Sequence, residues 1–83
     1  MNQLIIAFDE YLSVNKALDR ETITAYTMDI SQLDESSSKG LLQLGTEDIL
    51  SFLSTFGNKR TLNRKLSSIN QFYLFCQDRK SVV

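Results

Sequence analysis

NKRTLNRKLSSINQFYLFCQDRK, residues 58–80, reads as one long helix with two unlike faces, and the rest of the chain is arranged around it. At about 100° per residue, Leu62, Leu66, Ile69, Tyr73 and Cys76 share one stripe, with Phe72 at its edge. Arg60, Arg64, Ser67 and Gln71 fall on the opposite side. The apolar stripe has to be buried against neighbours, whereas guanidinium groups, a hydroxyl and an amide are at home in water. They are also the groups that bind nucleic acid.

Charge sharpens the division. The chain carries a formal net charge of -1, but residues 1–58 hold -6 and residues 59–83 hold +5, with Asp78 the only acid in the second part. One electropositive surface on an acidic body attracts a polyanion to a defined face.

Eighty-three residues make a single domain with room for one modest core. Apolar residues at 42% and charged residues at 23% exclude a disordered tail, and no apolar run approaches the ~20 residues that span a bilayer. The start, MNQLIIAFDEYL, lacks the basic region and small-residue cleavage site of a secretory signal, which predicts a cytoplasmic protein without a membrane partner. The single cysteine, Cys76, cannot form an internal disulfide and lies on the buried stripe.

Proline is absent, and the three glycines, Gly40, Gly45 and Gly57, separate segments of helical periodicity, so the fold is predicted to be all-α. A first helix is expected over Gln3 to Asn15, burying Leu4, Phe8, Tyr11 and Leu12. Asp19 is placed to cap a second helix over Arg20 to Glu35, with Glu21 in its first turn and Ile23, Tyr26, Ile30 and Leu33 on its core face. Ser36 to Gly40 is a connection, and LLQLG leads out of it. Thr46 is read as the cap of a short, central third helix ending near Thr55, stopped by Gly57, and Asn58 as the cap of the fourth and longest helix.

Enzyme chemistry finds little purchase here. No histidine is present, one cysteine cannot build a zinc site, and the pairs Asp9/Glu10, Asp34/Glu35 and Glu47/Asp48 are sequence neighbours that point about 100° apart on a helix. There is no glycine-rich phosphate loop. No catalytic residue, metal ligand, cofactor or small-molecule substrate is therefore expected. The positive reading is binding of double-stranded DNA by the fourth helix, with Arg60 and Arg64 one turn apart, Ser67 and Gln71 continuing the line, Lys59, Lys65 and Ser68 flanking it, and Thr61 serving phosphates. A small helical protein-interaction module is the alternative.

The run TLNRKLSSINQFYLF resembles the last helix of the N-terminal core-binding domain of tyrosine recombinases and phage integrases of the Xer type. Thr61, Arg64, Leu66, Ser67, Ile69, Phe72 and Tyr73 match that helix in register. ETITAYTMDISQL is similar to the family's second helix through Thr22, Ile23, Tyr26, Asp29, Ile30 and Leu33, and TEDILSFL, residues 46–53, to the start of its third. The resemblance implies a compact four-helix SAM-like bundle of orthogonal helices that forms half of a C-shaped clamp, with helices two and four on the major groove.

The same resemblance implies a catalytic half with an Arg, Lys, His and Arg constellation and a nucleophilic tyrosine, which this stretch of chain is not expected to supply, and other recombinase protomers as partners on DNA. Tyr11, Tyr26 and Tyr73 lie on core stripes and are not read as the nucleophile. The chain is read as the N-terminal fragment of a longer recombinase. Two departures stand out: Thr27 and Met28 lie where relatives carry basic residues, and Asn70 and Gln71 lie where an arginine is common. The second helix is thus left to bind phosphate weakly through Thr22, Thr24 and its N-terminal amides. With a pI near 5.2, the fragment is expected to bind DNA weakly alone.

Overall fold

The computed structural model describes residues 3–81, with side chains over residues 3–78. Four α-helices follow one another: α1 (Gln3–Val14), α2 (Arg20–Ser36), α3 (Thr46–Leu53) and α4 (Lys59–Ser81), with a 3₁₀ turn at Leu41–Gln43. No strand occurs among the described residues. The boundaries follow from local chemistry. Asp19 accepts the backbone N–H of Thr22 at 2.8 Å and caps α2, and Asn58 accepts those of Arg60 and Thr61 at 2.9 and 3.2 Å and caps α4. At α3 the cap is Gly45 rather than Thr46, and Asp48 reaches back to accept the Gly45 N–H at 3.0 Å. The Asp48 carboxylate thus supplies the half of a capping box that needs no side chain at the cap, and the helix starts one residue earlier than expected.

The core gathers around Phe8 of α1, which is fully buried. Phe72 meets it edge-to-face at 5.3 Å and Phe75 at 5.6 Å, while Tyr11 stacks obliquely on Phe75 at 5.0 Å. Ile23, Ile30 and Leu33 of α2, Leu41 of the 3₁₀ turn, and Phe52 and Leu53 of α3 complete it. Each such side chain contributes about 1.5–3 kcal/mol relative to exposure, which is how a short helix such as α3 is held in place. Tyr73 donates its hydroxyl to the Leu41 carbonyl at 2.7 Å and pins the 3₁₀ turn to α4.

The buried stripe of α4 departs from the expected one. The inward residues are Lys65, Ser68, Ile69, Phe72, Phe75 and Cys76, whereas Leu66 is 51% exposed and Leu62 and Tyr73 are half-buried. The helix is turned by roughly 80° from the orientation its leucines predict. Two forces explain it. Phe75 adds an aromatic ring against Phe8 and Tyr11, and the buried carboxylate of Asp29 on α2 draws Lys65 and Ser68 inward.

Candidate nucleic-acid interface

Asp29 lies on the side of α2 that faces α4 and is 1% exposed. An ionised carboxylate has about four acceptor positions, and here all are filled. Oδ1 accepts from Nη2 of Arg64 at 2.9 Å and from Nζ of Lys65 at 2.8 Å. Oδ2 accepts from Nε of Arg64 at 3.1 Å and from Oγ of Ser68 at 2.8 Å. Burial pushes the carboxyl up, but the hydrogen bonds from Arg64, Lys65 and Ser68, with the attraction of the ammonium, outweigh it and hold Asp29 below its ordinary range. The same interaction raises the Arg64 guanidinium further above its ordinary value.

Lys65 also donates to Oε1 of Gln32 and lies 4.6 Å from the ring centroid of Phe56 and 5.9 Å from that of Phe52. Its stem therefore occupies the junction of α2, α3 and α4. This corrects the expectation that Lys65 and Ser68 flank an open face: both are buried, and neither can reach a ligand outside the bundle.

Arg64 has two sides. One edge of its guanidinium is fixed on Asp29, yet its side chain is 49% exposed. Lys59 and Arg60 are exposed, and neither has an ion-pair partner among the described residues. Ser67 is exposed as well, and Thr61 is half-buried at the edge. Lys59, Arg60, Arg64 and Ser67 therefore share the outer side of the first half of α4, where no acidic residue occurs between 59 and 77. Gln71, expected to extend the row, turns its carbonyl oxygen into the protein, where it is buried without a hydrogen-bond partner among the described residues.

The N-terminus of α2 is chemically different. Its amide at Thr22 is taken by the Asp19 carboxylate, Glu21 sits in the first turn, and Arg20 is paired with Asp9 at 2.7 Å. Asp19 and Glu21 disfavour a phosphate at this helix start, while Arg20 and Asp9 offset each other. Thr24 is exposed nearby and Thr22 half-buried, so the expected anion site at this end is already filled by the protein's own carboxylate.

Asp29 and Arg64, which join α2 to α4, are among the residues that carry the sequence resemblance, and comparison with known families supports its coarser part. Residues 5–80 match the family described as phage integrase, N-terminal SAM-like domain. The chain belongs to that family. The family description names a SAM-like domain, the described residues of this integrase domain form four helices, and the match reaches into all four. No solved structure gives a significant match. Among the described residues, no helix is long and apolar enough to cross a membrane, and no three His, Cys, Asp or Glu side chains gather as a metal site.

Sequence reading overlooked Asp29 as the organiser of this surface in the integrase domain. The signal for it was an acid beside the apolar stripe of α2, a position that calls for cations from a facing helix. Gln32 and Phe56, the other partners of Lys65, left no comparable mark.

Proposed function

We propose that this domain binds duplex DNA on the outer face of the first half of α4, as the N-terminal part of a longer Xer-type tyrosine recombinase. In this reading a separate catalytic domain closes on the other side of the duplex and performs strand breakage and rejoining, other recombinase protomers are the protein partners, and the protein works in the cytoplasm. The observation that carries it is the row Lys59, Arg60, Arg64 and Ser67, exposed on one side of a helix with no acid beside it. An α-helix fits the major groove, and guanidinium, ammonium and hydroxyl donors suit phosphate oxygens. The positive end of the α4 dipole adds to this, because its cap, Asn58, is neutral and the first turn has no acid. Thr61, half-buried on α4, lies at the margin of the proposed surface, and α2 enters chiefly through Asp29.

The test is a salt titration of duplex binding by the domain and by R60A/R64A. The double variant is expected to bind more weakly, with a log–log salt slope shallower by about 0.9 for each phosphate it no longer neutralises. Unchanged affinity and slope would overturn the reading. A protein-interaction module is the second reading, favoured by the exposed Leu66 and Leu74 on α4 and by the groove lined by Leu66, Ser67, Ile69, Asn70 and Tyr73. It requires saturable binding to a protein and none to duplex at low salt.

A further inference from the structure

Lys65 is a cation that no ligand can touch. Its side chain is 3% exposed, and its ammonium group is held by Asp29 and Gln32 and faces the Phe56 ring. Taking an ammonium out of water is costly, and a methionine or leucine would fill the same junction. Packing alone therefore does not call for a charge here. What the ammonium changes is the electrostatics of its neighbour: one carboxylate faces two cations, so the Asp29, Arg64 and Lys65 cluster carries a net +1. Arg64 is the only one of the three with its side chain substantially in solvent. A guanidinium has five N–H donors. Asp29 engages Nε and Nη2, leaving the rest of the fork open to the outside.

We propose that Asp29 and Lys65 are positioning residues for a DNA phosphate: Asp29 fixes the Arg64 guanidinium with its free donors outward, and the buried Lys65 offsets the Asp29 charge so that the fixed arginine still presents net positive charge. This rests on the reading that α4 binds duplex DNA. Without Lys65, Asp29 and Arg64 form a neutral pair, which attracts a phosphate poorly even though its geometry is unchanged. Lys65 thus governs an interaction in which it takes no direct part.

The experiment compares the domain with K65M, D29N/K65M and R60A/R64A in duplex binding across salt, with circular dichroism and urea unfolding to establish folding. K65M removes the buried cation and is expected to shallow the salt slope by about 0.9, so that the ratio of parent to variant affinity shrinks about three- to fourfold between about 50 and 200 mM salt. D29N/K65M returns the cluster to +1 but leaves Arg64 a single acceptor oxygen, so it is expected to recover part of the slope lost in K65M and to stay short of the parent, which a second lesion in a merely structural network would not do. A folded K65M with the parent slope overturns the proposal, as does a K65M loss of which D29N/K65M recovers nothing. Should K65M not fold in buffer, K65Q, which keeps an amide donor toward Asp29, gives the same readout in trimethylamine oxide, which favours the compact state. Unchanged binding by R60A/R64A would instead remove the DNA reading itself, an outcome distinct from a failure of K65M alone.

Discussion

Lys65 and Asp29 meet in a 2.8 Å ion pair in which both side chains are almost fully shielded from water, at 3% and 1% exposure. The pair joins α4 to α2, and the ring of Phe56 closes over it beside α3. Breaking such a pair from one side leaves an uncompensated buried charge, which is costlier than the pair is favourable.

Asp29→Ala is the severe lesion. It strands a buried ammonium and leaves one edge of Arg64 without an acceptor, while Ser68 keeps only the Arg64 carbonyl at 3.0 Å. We expect a loss of about 3–5 kcal/mol in urea unfolding, a large share of what a domain of this size has. Lys65→Met is expected to be milder, because Asp29 keeps Arg64 and Ser68. Equal losses in the two variants would show that the cluster is not centred on Asp29.

Acid should weaken the fold for the same reason. The Asp29 carboxyl titrates below its ordinary value of 3.8, because hydrogen bonds and the ammonium outweigh burial. A depressed folded-state value means the unfolded chain binds the proton first, so this stabilisation is complete above about pH 4 and is lost as pH falls through the folded value. Asp19 and Asp48, lowered by their hydrogen bonds to Thr22 and Gly45, add in the same direction. We expect the urea midpoint to drop as pH falls below about 4, and to drop less in D29N. Identical acid profiles for D29N and the parent would assign the effect to other groups.

Ala17 offers a gain. Its φ of 51° puts a residue with a Cβ in the left-handed region between α1 and α2, where Leu18 donates back to the Leu12 carbonyl at 3.3 Å. That conformation costs an L-residue about 1–2 kcal/mol, and glycine escapes it at a smaller entropic cost. Ala17→Gly is expected to stabilise by up to about 1 kcal/mol in urea unfolding. A destabilised variant would mean the loop relaxes out of this geometry in solution.

The four helices were legible in the chain because their determinants are local: Asp19 and Asn58 as caps, glycines between periodic runs, and the stripes around Phe8 and Ile30. The rotation of α4 was not. Leu62 and Leu66 define an apolar stripe by themselves, and only the facing helix shows that a buried carboxylate takes Lys65 and Ser68 in their place. A residue-type rule sends leucine inside and lysine out, and it fails where two elements meet over a charge. The candidate interface was half legible on the same grounds. Arg60 and Ser67 depend on α4 alone and lie where periodicity puts them, whereas Arg64 depends on Asp29, which is 35 residues away in sequence.

Arg60 and Arg64 should therefore respond differently to one conservative change. Arg60 is exposed without an ion-pair partner among the described residues, so Arg60→Lys keeps a cation at the same place and should leave both stability and the salt slope of DNA binding nearly unchanged. Arg64 makes two parallel hydrogen bonds to Asp29 while turning its remaining donors outward. Lysine has no planar fork, so it can either pair with Asp29 or reach a phosphate, and doing one forfeits the other. We expect Arg64→Lys to lose about 1 kcal/mol of stability and to bind DNA with a slope shallower by as much as about 0.9, despite conserving the formal charge. Urea unfolding and salt-dependent fluorescence anisotropy on the two variants side by side make the comparison. If they behave alike, charge alone governs the face, and Asp29 fixes nothing that DNA recognises.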